Sequence, residues 1–192
     1  MITIVDYKAG NTFSVMQAFE RLGKKVVLTA DPDLIYQSQY VVFPGVGSAK
    51  SAMDNLNARE LKGCLRELKQ PFLGICLGMQ MLLDFSEEGS TKLLGLMPEP
   101  IDKFKEAPKT PHMGWNSVYD LKGPLFKNIS SESDFYFVHS YRLGPSQFSI
   151  ANCQHGEEFT AAINYQNYFG VQFHPEKSSV NGDQILKNFL SL

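Results

Sequence analysis

The chain has 192 residues, of which 43% are hydrophobic, and this size and composition predict one domain, residues 1–192, with a substantial apolar core. The formal net charge at pH 7 is −2 and charged residues of both signs are interspersed, which excludes electrostatic capture of nucleic acid or of an anionic membrane surface. The three cysteines are odd in number and lack metal-ligand spacing, so a reducing, cytoplasmic location is expected, with neither a disulfide framework nor a metal site. A signal-peptide pattern and a membrane-spanning apolar stretch are both missing from the sequence, which supports the same expectation.

The first half of the chain alternates strand and helix patterns. β-branched and aromatic residues between turn residues predict strands at 2–5, 25–29, 40–43 and 72–75. A turn is predicted at 6–11. Apolar residues at helical spacing predict a helix at 12–22, which ends at Gly23, and a second helix over much of 49–68. This β-α-β order implies a parallel sheet covered on both faces.

The second half has a different pattern. Four prolines between positions 98 and 111 delimit a stretch that is expected to be irregular. The strand patterns that follow are closely spaced, which fits antiparallel additions to the sheet, and they lie at 135–138, 149–153, 159–164 and 168–173. A helix over about 183–190 completes the chain. The predicted fold class is therefore α/β, with a mostly parallel twisted central sheet, helices on both faces, antiparallel strand additions in the second half and three layers of flavodoxin type.

The most informative segment is the pentapeptide Gly-Ile-Cys-Leu-Gly at 74–78, which follows the apolar residues 71–73 and leads into further apolar residues. This order predicts a buried strand, a tight turn with Cys76 at its tip and then a helix, as in the nucleophile elbow with sulfur in place of oxygen. The start of a helix lowers the pKa of a thiol and can stabilise an oxyanion, so Cys76 is a candidate nucleophile. The alternative is a cysteine used as a small core residue, the role expected for Cys64 and Cys153.

His174 is the candidate base for this nucleophile. The strand predicted at 168–173 places it just past a strand end, where active-site groups of α/β proteins gather. Glu176 follows two positions later across Pro175, and residues two apart in an extended segment point the same way. Glu176 can then hold one imidazole nitrogen while the other faces Cys76, which gives a nucleophile-base-orienter triad. A histidine without these neighbours would more often be structural.

Two further segments carry groups suited to a small ligand. The glycine-rich loop 44–48 lacks the spacing and the lysine of a phosphate-binding loop, and it is better suited to place a backbone N–H opposite that of Leu77, completing an oxyanion hole. Its alternative interpretation is an ordinary turn. The segment 136–141 is a strand ending in polar groups that could bind a ligand, or equally a buried aromatic strand with incidental polar neighbours.

Taken together, the elbow and the His-Pro-Glu motif at 174–176 resemble those of the class I, or triad, glutamine amidotransferases. Within that family, one branch is most similar, the glutaminase subunits of imidazole glycerol phosphate synthase, on the segments 44–47, 111–116, 136–141 and 170–178. The resemblance covers essentially the whole chain in the expected order. Segments 6–11 and 98–110 depart from the family pattern, and both could contact a partner.

The resemblance implies a chemistry and a set of site residues. Cys76 would attack the side-chain amide of L-glutamine, His174 would transfer protons and Glu176 would fix the imidazole tautomer. The implied oxyanion hole is formed at Val46, Gly47 and Leu77. The implied glutamine-binding residues are Gly47, Gln80, Glu88, Ser140 and Tyr141, with Glu88 facing the α-ammonium group; for Glu88 a solvated surface carboxylate is the alternative. No cofactor is implied.

The resemblance also implies a heterodimer. Ammonia would pass to a (β/α)8-barrel cyclase subunit, which makes imidazole glycerol phosphate and an aminoimidazole carboxamide nucleotide in histidine biosynthesis. The implied partner contacts are Asn11, Trp115, Tyr136 and Lys177, although Trp115 could equally be a core aromatic. The oxyanion loop would become productive when the partner binds its nucleotide.

Three alternatives compete with this interpretation. A paralogous glutaminase subunit would have the same active site and feed ammonia to another acceptor. A non-catalytic, regulatory relative is disfavoured by the intact Cys76, His174 and Glu176. A cysteine hydrolase of another branch, acting on γ-glutamyl compounds, is disfavoured by the Met-Gly-Trp-Asn segment at 113–116.

Overall fold

A nine-stranded sheet forms the centre of the computed structural model, which describes residues 1–8 and 11–192. Its strands, numbered in chain order and given in spatial order, are β2 (Val26–Thr29), β1 (Ile2–Val5), β3 (Tyr40–Gly45), β4 (Phe72–Cys76), β13 (Tyr168–Val171), β12 (Glu157–Tyr165), β11 (Ser149–His155), β8 (His112–Tyr119) and β9 (Ser133–His139). A second sheet has the order β10 (Tyr141–Arg142), β7 (Pro100–Lys103), β5 (Phe85–Ser86) and β6 (Thr91–Lys92). The helices are α1 (Thr12–Arg21), α2 (Pro32–Tyr36), α3 (Ala49–Ala58), α4 (Leu61–Glu67), α5 (Leu77–Gln80) and α6 (Ser179–Phe189).

The large sheet is parallel in one half and antiparallel in the other. β2, β1, β3, β4 and β13 pair in parallel, and β12, β11, β8 and β9 continue from β13 in antiparallel fashion. The predicted α/β class is confirmed. β13 differs from expectation because it joins β4 in parallel and is antiparallel only to β12.

Helices cover both faces of the sheet, as predicted. Strand residues alternate between the two sides, so that Ile4 packs with α1 and α6 while Val5 packs with α2, α3 and α4. Within the described ranges, no helix has both the length and the apolar character needed to cross a bilayer.

Several elements differ from the sequence prediction. The single helix expected over 49–68 is divided into α3 and α4 at Glu60, whose φ of +57° lies in the left-handed region and interrupts the helix. The stretch expected to be irregular between positions 98 and 111 contains β7. α2, β5, β6, β8 and β10 were not predicted. Of the turn expected at 6–11, residues 9 and 10 lie outside the described residues.

The antiparallel half of the sheet curls back toward the parallel half. β9 is the edge strand, four positions from β13, yet its Tyr136 carbonyl accepts a hydrogen bond from the His174 N–H at 2.9 Å. Register shifts between β11 and β12 near Ala151 locally increase the twist. The end of β9 therefore lies beside the ends of β4 and β13, where the functional groups predicted from the sequence collect.

At the centre of this edge, α5 packs directly on the sheet backbone. A Cβ atom added to Gly78 would lie 1.8 Å from the Phe43 carbonyl oxygen, and one added to Gly74 would lie 2.5 Å from the Gly78 carbonyl oxygen. Because these contacts involve backbone atoms, no side-chain movement could relieve them. Glycine at both positions is therefore required for the turn at Cys76.

We expect a Gly78→Ala substitution to lower the free energy of unfolding by about 3 kcal/mol or more, since α5 would have to move off the sheet. Urea unfolding followed by circular dichroism measures this difference. Gly63→Ala is the matched control, because a Cβ there meets no atom within 4 Å and alanine favours the helix α4 by up to about 1 kcal/mol. Equal stability of the two variants would contradict the packing argument.

Candidate active site

Cys76 ends β4 and adopts a backbone conformation that is rare for a residue with a side chain. Its φ of 54° and ψ of −111° turn the chain sharply into α5. The side chain is almost buried, and its Sγ lies 3.7 Å from the Val138 carbonyl oxygen and 3.7 Å from Nε2 of Gln172. The sulfur is thus held at the base of a cleft, with one amide donor directed at it.

His174 lies beside Cys76 because β13 pairs in parallel with β4, with Val171 opposite Ile75. Its Nδ1 is 2.7 Å from Oε1 of Glu176, and the two side chains are only 3% and 1% exposed. The extended segment expected between them is instead a 3-10 turn, Pro175–Lys177, which brings the carboxylate back onto the imidazole. The pairing was expected, but its backbone geometry was not.

The surroundings of His174 favour its protonated form. Burial acts to lower its pKa, but the neighbouring Cys76 thiol and the hydrogen-bonded Glu176 carboxylate outweigh burial and raise the pKa to about 10. Among the described residues, Nε2 of His174 and Oε2 of Glu176 are buried without a hydrogen-bond partner. Since Nδ1 is engaged by Glu176, Nε2 is the nitrogen available for proton transfer.

A pocket of about 360 Å³ opens above these groups. Its lining consists of Val46, Gly47, Cys76, Leu77, Gln80, Glu88, Pro111, Val138, His139, Ser140, Tyr141 and His174. Every residue that the family resemblance implies for the oxyanion hole or for glutamine binding is in this set. Glu176 does not line the pocket because it lies behind His174.

Two backbone segments face each other across the sulfur. The first N–H groups of α5, from Leu77 onward, have no partner within the helix. Opposite them, β3 is fixed near its end at Pro44, whose carbonyl accepts a hydrogen bond of 2.9 Å from Tyr7 Oη, and a loop follows it. Gly47 in the same loop is exposed, has a φ of +96° and would accommodate a Cβ without contact. One side of the site is therefore closely packed, whereas the loop on the other side is exposed and makes few contacts at Gly47.

Glu88 and Tyr141 border the outer part of the pocket. Glu88 is half-buried and not a free surface carboxylate, and its Oε2 accepts a hydrogen bond from the Ala49 N–H at 2.7 Å. Burial, together with the charges of Glu88 and Glu87, raises the pKa of Tyr141. Glu88 thus places negative charge beside the Tyr141 side chain at the pocket rim.

The four expected partner contacts lie around the outside of the site. Trp115 is 54% exposed, so it is not a core aromatic, and it packs edge-on against Tyr136 at a centroid distance of 6.2 Å. Nζ of Lys177 lies 5.7 Å from the centre of the Tyr136 ring. Asn11 is exposed and caps α1 through Ser14. Trp115, Tyr136 and Lys177 form one surface, called here the aromatic patch.

Sequence reasoning gave no individual role to Pro111, Val138, His139 or Gln172, although Val138 and His139 lie in the segment 136–141 that was considered for ligand binding. Gln172 carried a usable signal because it precedes His174 by two positions on the same motif. Val138 and His139 reach the pocket only because the antiparallel half curls, and no local pattern in the sequence reports that curl.

Comparisons with known proteins show the family and the fold of the chain. A family model, glutamine amidotransferase class-I, matches residues 3–192. The chain is 42% identical over 194 residues to the imidazole glycerol phosphate synthase subunit HisH of Bacteroides fragilis (strain YCH46), covering 100% of this chain and 99% of that protein. It is 45% identical over 191 residues to a protein of the same name from Haemophilus influenzae (strain Rd), covering 98% and 96%. A solved glutamine amidotransferase structure has the same fold, with a TM-score of 0.77 at 14% identity, covering 100% of this chain and 98% of that one.

The buried histidines near the pocket predict a specific loss of stability in acid. Burial, reinforced by neighbouring histidines, lowers the pKa of His112 to about 4 and that of His139 to about 3. The unfolded chain, with histidine pKa values of about 6.5, therefore binds protons that the folded chain does not. The stability that these two neutral histidines contribute is present above about pH 6.5 and is lost as the pH falls toward 4.

We expect each of the two to add about 1.4 kcal/mol per pH unit to the slope of unfolding free energy against pH in that range. Urea unfolding at several pH values between 6.5 and 4.5 measures the slope. Because carboxylates also titrate in acid, the test compares the chain with its His112→Phe variant, which keeps an aromatic ring. Equal slopes for the two proteins would show that His112 is protonated in the folded chain.

Proposed function

The chain belongs to the class I glutamine amidotransferases and, within them, to the family of HisH subunits of imidazole glycerol phosphate synthase, and from this membership we propose the residues and steps of its reaction. The protein is a glutamine amidotransferase of histidine biosynthesis. One observation carries the assignment of its chemistry: His174 is buried between Cys76 and Glu176 at the base of a pocket of suitable size.

In the first half-reaction, the thiol proton of Cys76 passes to Nε2 of His174, and the thiolate Sγ then attacks the side-chain carbonyl carbon of L-glutamine. The negative charge on the carbonyl oxygen is stabilised by the Leu77 N–H and by an N–H of the Val46–Gly47 loop. The C–N bond then breaks as His174 gives the proton to the amide nitrogen of glutamine. Ammonia departs, and a glutamyl thioester remains on Cys76. Glu176 holds Nδ1 of His174 throughout and favours the imidazolium that forms.

In the second half-reaction, water attacks the thioester and gives one proton to Nε2 of His174. The C–S bond breaks, the proton returns to the sulfur and glutamate is released. His174 is an imidazolium during both half-reactions, and its surroundings favour this protonated form. A carboxamide is a poor electrophile, so nucleophile, proton carrier and oxyanion donors are all required.

Glutamine is proposed to lie along the pocket with its α-ammonium group at Glu88 and its side-chain amide at Cys76. Gly47, Gln80, Ser140 and Tyr141 also line this path. Glu88 supports the assignment because, within the part of the chain that the structure describes, only one of its carboxylate oxygens is engaged, by the Ala49 N–H. The other oxygen is free to pair with the ammonium group.

The partner is proposed to be the cyclase subunit, a (β/α)8 barrel that uses the ammonia to form imidazole glycerol phosphate and an aminoimidazole carboxamide nucleotide. The aromatic patch supports a docking face beside the pocket. Trp115 is large, apolar and exposed, and it packs on Tyr136, whose carbonyl accepts the hydrogen bond from the His174 N–H. Asn11 lies near the same segment, along a narrow crevice bordered by Val46 and Glu176. The cysteines are free and buried, which supports the cytoplasmic location expected from the sequence.

Glutamate release from L-glutamine tests the proposal. We expect slow release by the chain alone and a large increase when the cyclase and its ribulosyl nucleotide are added. Cys76→Ser should lower turnover in the full mixture by about a thousand-fold or more, because a serine hydroxyl is far harder to ionise than a thiol.

Cys64→Ser is the matched control, since Cys64 has the same 6% exposure but lies on α4, away from the pocket. Its turnover should stay within about two-fold of the unmodified chain. Turnover by Cys76→Ser at the unmodified rate would exclude Cys76 as the nucleophile. Fast release that ignores the cyclase would point to another ammonia acceptor.

A second prediction concerns the docking face. Trp115→Ala should weaken binding of the cyclase by about ten-fold or more, as expected for an exposed aromatic at an interface, when measured by calorimetry. Tyr165→Ala is the control, because Tyr165 is exposed at the end of β12, beside the first residue of β13 and at the end of these strands away from the pocket. Equal affinities of the two variants would remove the aromatic patch from the interface.

A further inference from the structure

Three of the four histidines lie together next to the pocket, outside the triad. The rings of His112 and His155 stack at a centroid distance of 4.1 Å, and Nδ1 of His112 lies 3.0 Å from Nε2 of His139. His112 and His139 are buried, and Phe104 and Phe159 pack against both rings. His139 also lines the pocket, so the cluster borders the substrate site directly.

The hydrogen bonds of Asn116 fix the tautomer of His112. Oδ1 of Asn116 accepts from the Ser117 N–H at 2.9 Å, and its Nδ2 donates to the Gln154 carbonyl at 2.9 Å, so the amide cannot be reversed. The same Nδ2 lies 3.1 Å from Nε2 of His112. Since Nδ2 can only donate, Nε2 of His112 must be the acceptor, and the proton of this ring is on Nδ1.

The hydrogen bonds of His139, on the other side of the His112–His139 contact, indicate the same tautomer independently. Nδ1 of His139 lies 2.8 Å from the Tyr141 carbonyl oxygen, which can only accept, so His139 also carries its proton on Nδ1. Nε2 of His139 is then an acceptor for the Nδ1–H of His112. Both ends require two neutral, Nδ1-protonated rings, and the lowered pKa values of His112 and His139 agree with this.

From His139 the hydrogen bonds continue through the Tyr141 carbonyl to Gln80, which lines the pocket. The Tyr141 carbonyl accepts a second hydrogen bond, from Nε2 of Gln80 at 3.0 Å, and the same Nε2 donates to Oε1 of Gln172 at 2.9 Å. Both hydrogens of the Gln80 amide are therefore used within the protein. Its Oε1 remains as the polar atom that Gln80 can offer to a molecule in the pocket.

We propose that His112 and His139 are positioning residues that hold the Tyr141 carbonyl, and through it the Gln80 amide, so that Gln80 offers Oε1 to bound glutamine. The identity of the bound molecule rests on the proposed function, whereas the direction of the hydrogen bonds does not. The two histidines do not touch the reacting atoms. Their effect is on the affinity for glutamine.

Nitrogen-15 NMR of the full-length chain tests the direction of the bonds without altering the cluster. Two-bond correlations distinguish a protonated from an unprotonated ring nitrogen, and four histidines are few enough to assign. We expect Nδ1–H with unprotonated Nε2 for both His112 and His139 at pH 7.5. An Nε2–H tautomer or a charged ring at either residue would overturn the proposal.

Kinetics of the complex with the cyclase tests the role. His139→Phe keeps an aromatic ring but removes the donor to Tyr141, and the glutamine KM should rise about five- to ten-fold, the effect of one lost hydrogen bond, while kcat changes less than about three-fold. His139→Asn can place its amide nitrogen where Nδ1 lies, and it should restore KM to within about two-fold of the unmodified value.

Phe104→Leu is the control for packing, since Phe104 contacts the rings of His112 and His139 but its side chain carries no hydrogen-bonding group. It should lower the thermal stability and leave KM unchanged. An equal rise of KM in Phe104→Leu and His139→Phe, or none in His139→Phe, would overturn the positioning role. If the unmodified complex released no glutamate, the proposed function would be refuted instead. The nitrogen spectra would still determine the direction of the hydrogen bonds from His112 through His139 to the Tyr141 carbonyl.

Discussion

The close contact between the backbone of α5 and the ends of β3 and β4 determines where the reacting groups lie. Because Gly74 and Gly78 have no side chains, α5 can pack directly against the Phe43 carbonyl. This close packing requires a sharp turn between β4 and α5. Cys76 occupies that turn at a positive φ, and the turn directs its sulfur out of the sheet. The same turn places the free N–H groups of α5 next to the sulfur. The Cys76 sulfur and the backbone N–H groups proposed as oxyanion donors are therefore positioned by one packing contact.

The second component of the site comes from strand pairing between distant parts of the chain. Parallel pairing of β13 with β4 brings His174 to Cys76, and the 3-10 turn after it folds Glu176 behind the imidazole. The antiparallel half then curls until β9 supplies the pocket wall at Val138. Gly182 anchors this arrangement from α6, since a Cβ there would lie 1.9 Å from the Pro175 carbonyl oxygen. The triad is thus held from both faces of the sheet.

The sequence predicts those parts of the site that depend on local chemistry. The elbow at 74–78 and the His-Pro-Glu motif are short segments whose residue types determine the turn and the pairing, so the triad could be proposed before the fold was known. The position of His139 depends on the curl of the sheet and on a partner, His112, in another strand, and no local pattern encodes either. The break at Glu60 was missed for a similar reason, because glutamate has good helix propensity and its left-handed conformation is imposed by tertiary packing.

The loop after β3 differs from the rest of the site in how it is held. Gly45, the last residue of β3, is confined, since a Cβ there would lie 2.7 Å from Tyr7 Oη and 2.8 Å from the Gly78 nitrogen, whereas a Cβ at Gly47 in the loop would have no neighbour within 4 Å among the described residues. Any reorientation of this loop is therefore restricted to the peptides around Val46 and Gly47, which lie on the exposed side of the pocket. This division supports the proposal that the partner sets the oxyanion donor, because it can move these peptides without disturbing Cys76 or His174. Control of the rate would then act on charge stabilisation and leave the nucleophile and base unchanged.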